Sequence, residues 1–261
     1  MIKSSEIKQI ARNKLAGNWG KAIGITAIFV AITLAFNYCS LLIQNITTKT
    51  PILYYAAQII FTFLLLPVSF GFISAIIKLL HCKKTEYTTI INDAILNSSK
   101  AIGIFFRTFL KIIIPSALTI IGAVAIFLLF YKELPQSLNS LGGYLLLLVF
   151  LYIVSMVIIA ILALPYSLST YALANDNTLS SKEAVEKSIS LMDKNKWNFV
   201  KLVLSFVGWF ILIEIATHIL QNYTPEIFKD LIESIGYIFI LPYLISSISV
   251  FFDELNDVKV D

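Results

Sequence analysis

Glu214 and His218 have residue types and a spacing that could pass a proton or hold an ion. They stand four positions apart, one helical turn, inside an apolar run from Phe199 to Leu220. Ionisable side chains within a bilayer are costly and mark ion or proton paths when they face a polar lining. Depth favours a plainer role. At about 1.5 Å per residue, Glu214 lies about 22 Å along the helix from Phe199. That is close to the far edge of a hydrocarbon layer about 30 Å thick, where a carboxylate reaches water. The expectation is therefore a structural ionisable pair.

Arg107 and Lys111 are also one turn apart, at the start of another apolar run. Two cations there suit anionic lipid headgroups. They also suit snorkelling from a helix end, and the two roles are compatible. A third constellation is Leu66-Pro67, Leu164-Pro165 and Leu241-Pro242, each inside a long apolar stretch and each followed by small or hydroxyl residues. A proline in a helix removes a donor and frees the carbonyl four residues earlier, that of Phe63 for Pro67. In lipid that carbonyl needs a hydroxyl, a water or a neighbouring helix. Pro67, Pro165 and Pro242 are thus candidates for a central kinked site. Proline is common in membrane helices, so shaping the spans is the weightier expectation.

No other pattern points to catalysis. His81 and Cys82 are a lone adjacent pair, short of the ligand cluster a metal needs. No phosphate-cradling glycine loop and no nucleophile elbow is present. The expectations are no catalytic residue, no metal, no cofactor, no nucleic-acid partner and no enzymatic activity.

These residues sit in a chain that is 58% hydrophobic and 14% charged, with a mean hydropathy of +0.83. Soluble domains are about half apolar and a quarter charged, so the class is all-α integral membrane. Six spans are expected, at about 22–43, 52–80, 109–131, 144–172, 199–220 and 232–252. Amphipathic stretches precede the first, third and fifth: Ser4 to Asn18, Thr85 to Ser99 and Asn175 to Asn195. In the first, Ile7, Ile10, Ala11 and Leu15 share a face; in the second, Tyr87, Ile90, Ile91, Ala94 and Ile95 have helical spacing; in the third, Val185, Ile189 and Met192 line one face, and Ser180 with Glu183 forms a capping box. Trp19 and Trp197 stand before spans one and five as interfacial anchors.

The pattern reads as one unit written three times: surface helix, span, and second span with a Leu-Pro kink. Lys21-Ala22-Ile23-Gly24-Ile25 recurs as Lys100-Ala101-Ile102-Gly103-Ile104. Spans come in pairs, so the repeats are parallel and imply a pseudo-threefold bundle. One membrane domain covers 1–261, with repeats at about 1–82, 83–176 and 177–252 and an acidic tail at 253–261.

Lys3, Lys8, Arg12, Lys14 and Lys21 precede span one, and comparable basic clusters flank spans three and five. The alternate loops hold only Lys49, Lys132 and Lys229. The positive-inside rule places both termini and all three amphipathic stretches in the cytoplasm of a cell-membrane protein. No short apolar core with a small-residue cleavage site precedes span one, so that span is expected to act as an uncleaved signal anchor. Cys39 and Cys82 fall on opposite sides, which argues against a disulfide between them.

Two stretches carry a family resemblance: Ile10-Ala-Arg-Asn-Lys-Leu-Ala-Gly-Asn-Trp-Gly-Lys-Ala-Ile23 and Lys187-Ser-Ile-Ser-Leu-Met-Asp-Lys-Asn-Lys-Trp-Asn-Phe-Val-Lys-Leu-Val-Leu-Ser-Phe-Val-Gly-Trp209. Both resemble the uncharacterised bacterial integral-membrane family numbered 975 among the domains of unknown function. The family usually has glycine where this chain has Asp193. The resemblance implies a multi-span bacterial inner-membrane protein and supplies no activity and no catalytic residue.

Three roles remain in order of expectation. The first is non-enzymatic handling of a lipid or small amphiphile, or a membrane adaptor. Its partners are the bilayer, anionic lipids, and a protein at the cytoplasmic amphipathic helices. The second is a transporter or channel with a polar path between repeats. The third is a lipid-modifying enzyme.

Overall fold

The computed structural model describes residues 3–46, 51–81, 85–130, 141–221 and 229–257. Among them the regular structure is entirely helical: α1 Ser4–Leu15, α2 Trp19–Ile46, α3 Pro51–Leu80, α4 Thr89–Leu96, α5 Ser98–Phe130, α6 Leu141–Ala163, α7 Ser169–Asn175, α8 Ser181–Met192, α9 Lys196–Gln221 and α10 Lys229–Asp257. Among the described residues six stretches are long and apolar enough to cross a membrane: α2, α3, α5, α6 continued through α7, α9 and α10. Lys49, Cys82 and Lys132 lie outside the described residues.

The helices outrun the apolar runs that announced them. α5 begins at Ser98, well before Phe109. Hydropathy marks where a helix enters lipid, whereas backbone hydrogen bonding continues through Lys100 and Arg107. Asp253, Glu254 and Asp257 of the expected tail belong to a helix, because α10 runs through them, whereas Asp261 lies outside the described residues. α1 stops because Gly17 takes φ +80°, a left-handed conformation that favours glycine.

α2 with α3, α5 with α6, and α9 with α10 form three hairpins. The amphipathic helices dock on the proline-bearing spans: α4 on α3, α8 on α7, and α1 on α10. The core lies at these contacts. Phe70, Ile76 and Ile77 of α3, Leu168 and Leu173 around α7, and Phe251 and Phe252 of α10 are buried with Leu15, Ile90, Leu191 and Met192. The remaining lengths of the spans turn their apolar side chains outward. In its most apolar window α5 has 0% of its residues buried, against 44% for α10, so the second hairpin is the less enclosed of the two.

α4 is shorter than its sequence pattern suggested, and its faces differ from the expected ones. Ile90, Asp93, Ala94 and Asn97 are buried, while Tyr87, Ile91 and Ile95 are exposed. An aspartate supplies the docking face because α3 offers it a lysine, as described below. In α8 the expected capping box is present, with Ser180 Oγ accepting from Glu183 N and Glu183 Oε2 accepting from Ser180 N at 2.7 Å.

The three prolines do not act alike. α3 and α10 continue as helices through Pro67 and Pro242, and α5 likewise contains Pro115. The fourth span breaks instead. α6 ends at Ala163, a 3-10 turn covers Leu164–Tyr166, and helix resumes at Ser169. Ser188 of α8 bridges the break: its Oγ donates to the Pro165 carbonyl (2.7 Å) and accepts from Leu168 N (3.1 Å). Ser188 and Leu168 are both fully buried. Ser188→Ala is therefore expected to strand the Leu168 amide at a cost of about 1–3 kcal/mol. Amide exchange at Leu168 and Ser169 should rise accordingly, and unchanged exchange would remove Ser188 from this role.

Candidate functional site

A groove of about 360 Å³ lies between α3, α5 and the break in span four. α3 contributes Leu66, Ser69 and Phe70. α5 contributes Ala101, Phe105 and Thr108. The break contributes Tyr166 and Ser167, and α7 contributes Thr170. The lining is mainly apolar, and several of its hydroxyls already serve their own helices. Ser69 Oγ donates to the Leu65 carbonyl (2.8 Å), and Thr108 Oγ1 bonds the carbonyls of Ile104 (3.0 Å) and Phe105 (2.9 Å). Lys111 stands beside this groove, its Nζ 5.7 Å from the centroid of the Tyr166 ring. That distance suits a cation–π contact. Arg107, one turn earlier, is exposed. The arrangement offers an apolar slot with a cation beside it, and no acid–base or nucleophilic pair.

Leu66 and Tyr166, neighbours of Pro67 and Pro165, share this groove, whereas Leu241, neighbour of Pro242, lines another. None of the three prolines itself lines either of these two cavities. The second cavity, about 280 Å³ between α2 and α10, is lined by Thr33, Asn37, Glu233, Ser234 and Tyr237 among apolar residues. Tyr237 OH donates to Glu214 Oε1 at 3.2 Å. Glu214 thus takes its partner from α10, and among the described residues it forms no ion pair with His218. Both Glu214 and His218 are exposed.

The tryptophans also differ. Trp19 packs against the core, 6.2 Å from the Tyr243 ring, while Trp197 is exposed.

Two charged clusters escaped the sequence reading. Lys78 Nζ donates to both carboxylate oxygens of Asp93 at 2.7 Å, and Ser74 Oγ donates to Asp93 Oδ2 at 2.6 Å. Asp253 Oδ2 lies 3.4 Å from Lys14 Nζ and 3.1 Å from His81 Nε2. The available signal was Asp93 itself, at helical spacing between Ile90 and Asn97 on what should have been an apolar face.

Between the fourth span and α8, the Thr178 hydroxyl, then its N–H, hold the Asp176 carboxyl below the usual range. Ser180 does the same for Glu183, through its N–H first and its hydroxyl second. These carboxylates stay ionised at neutral pH and secure the start of α8. Among the described residues no three His, Cys, Asp or Glu side chains are grouped to hold a metal ion.

Among the described residues, six long apolar helices, shorter helices docked on three of those spans, outward-facing apolar flanks and an apolar groove define a multi-pass helical membrane protein. The chain belongs to the DUF975 family, described as proteins of unknown function, whose profile matches residues 1–259. No curated protein and no solved structure matches the chain.

Proposed function

We propose that this chain is a non-enzymatic cell-membrane protein that holds a lipid or small amphiphile. The acyl part occupies the groove between α3, α5 and the break in span four, and an anionic headgroup meets Lys111, with Arg107 in support. The observation that carries this reading is Lys111 set over Tyr166, a residue that lines a mainly apolar groove. Ligand sites are typically apolar clefts with a few placed polar groups.

The same reading places both termini and α1, α4 and α8 in the cytoplasm, on the strength of the basic residues around them. It takes the chain as three parallel repeats. The support is that α4 and α8 each dock on the proline-bearing span before them, and α1 docks on the last one.

Native mass spectrometry of protein extracted without harsh delipidation tests the proposal. One anionic lipid class should be retained far above its bulk abundance. Lys111→Ala should lower that retention about five-fold, the weight of ~1 kcal/mol for one cation near anionic headgroups. Lys182→Ala, an exposed lysine of α8 paired with Glu186, should leave it unchanged. Unselective lipid in every variant would remove the lipid reading, and a co-purifying protein in its place would favour the adaptor.

The α2–α10 cavity favours a second reading, a transporter with a polar path past Asn37 and Glu233. Flux through reconstituted vesicles that depends on Glu233 would support it.

A further inference from the structure

We propose that the three amphipathic helices are assigned to their three spans by distinct docking keys, two of them ion pairs of opposite polarity. The register comes from asparagines. Asn18, Asn97 and Asn195 each offer a carbonyl to the amide four residues on, in Ala22, Ala101 and Phe199, at 3.0, 2.9 and 3.0 Å. Counting four residues back from each gives Lys14, Asp93 and Leu191. Counting eleven on from each Leu-Pro proline gives Lys78, Asp176 and Asp253.

In two of the three units these positions face each other where the helices dock. On α3 the pair is Lys78 with Asp93 of α4. On α10 it is Asp253 with Lys14 of α1, so the same contact is made with the charges exchanged. In the remaining unit the positions hold Asp176 and Leu191, and Asp176 bonds to Thr178 instead.

A second position completes the code. Seven residues before each asparagine stand Ala11, Ile90 and Ser188, all fully buried. Four after each proline stand Gly71, Ser169 and Ser246. Gly71 lets the Ile90 backbone approach, and Ser188 bridges the break beside Ser169.

Each misdocking loses something specific. α1 on α3 sets Lys14 against Lys78. α4 on α10 sets Asp93 against Asp253. Like charges facing each other in a part-buried contact are disfavoured, and such clashes are how related surfaces reject wrong partners. α1 on α7 would match Lys14 with Asp176, but Ala11 then replaces Ser188 and leaves the Leu168 amide unmet. α8 on α3 brings Leu191 to Lys78, which then lacks its carboxylate, and α8 on α10 brings Leu191 to Asp253, which then loses Lys14 and keeps His81 alone. Only the observed set satisfies all three sites.

A polarity exchange separates keys from mere stabilising pairs. Lys8 lies against the last hairpin, its carbonyl accepting from Tyr243 OH (3.3 Å) and its Nζ 5.6 Å from the Phe206 ring centroid. A photo-crosslinking phenylalanine analogue at position 8 therefore reports where α1 sits. In the parent chain, in its own membrane, cross-links should fall on α9 and α10. In the double variant Lys78→Asp with Asp93→Lys every native pair remains opposite in charge, yet α1 now also fits α3. A measurable share of the cross-links from α1 should then move to α3, because the electrostatic discrimination is gone.

The quadruple variant that adds Lys14→Asp and Asp253→Lys restores opposite polarities and should return the cross-links to α9 and α10. If the double variant fails to accumulate and the quadruple does, discrimination between the sites, and not the pairing of charges alone, is what matters. Cross-links confined to α9 and α10 in the double variant would overturn the proposal, and so would failure of both variants to accumulate.

Discussion

Gly71→Ala lifts α4 off α3. A Cβ at Gly71 would lie 2.0 Å from the Ile90 carbonyl oxygen and 3.0 Å from its carbon. Both atoms belong to the backbone, so no rotamer change relieves the contact. The helix must move as a body, and that movement draws Asp93 away from Lys78 and Ser74 and uncovers Ile90. Overpacking a tight contact costs about 1–3 kcal/mol, and the severed charge-assisted hydrogen bonds add about 1.5–3 kcal/mol each. Hydrogen–deuterium exchange should find the α4 amides losing protection while the α9–α10 hairpin keeps its own. Gly122→Ala is the matched control. Nothing lies within 4 Å of that position, and the change gains up to ~1 kcal/mol of helix propensity. Equal α4 protection in the two variants would show that the Gly71 contact does not hold the helix in place.

Lys78→Met has the next largest expected effect, and it should exceed that of Asp93→Leu. The Asp93 side chain is 7% exposed and the Lys78 side chain 25%. Removing the lysine leaves a buried carboxylate with Ser74 as its remaining side-chain donor, a loss of about 3 kcal/mol at the lower end of the range for breaking buried pairs. Removing the aspartate leaves an ammonium on a long stem that can swing toward water, at a smaller cost of about 1–2 kcal/mol. The double variant Lys78→Met with Asp93→Leu should recover most of the loss, since two apolar residues of similar volume often replace a buried pair without penalty. Denaturation of the four proteins in mixed micelles, followed by circular dichroism, completes the cycle. A double variant as damaged as Lys78→Met alone would show that the pair is not the source of the effect.

Fold class and span number were legible because they rest on bulk quantities. An apolar run of about 20 residues has one favourable fate in a bilayer. The capping box at Ser180 and the helix end at Gly17 were legible because each depends on neighbours in sequence. The docking face of α4 was not. Its pattern placed Ile91 and Ile95 with Ile90, and only the lysine of another helix makes an aspartate the better buried residue. The groove escaped for the same reason, since Ser69, Thr108 and Tyr166 come from three spans and carry no mutual spacing. Arg107 and Lys111 were legible as a pair, but only the bend in span four brings Tyr166 beside Lys111. Pro165 differs from Pro67 and Pro242 because Ser188, on α8, can bond the groups its break frees.

The clasp between Lys14 and Asp253 joins residues 239 positions apart. At ribosomal rates of about 5–20 residues per second, α1 waits on the order of 10–50 s for the surface it will cover. Throughout that interval Ile7, Ala11 and Leu15 have no permanent partner, and the nascent chain must park an apolar face next to its own membrane. The last turns of α10 therefore time the completion of the fold, and a ribosome that stalls before Asp253 leaves behind a chain that has inserted but not closed.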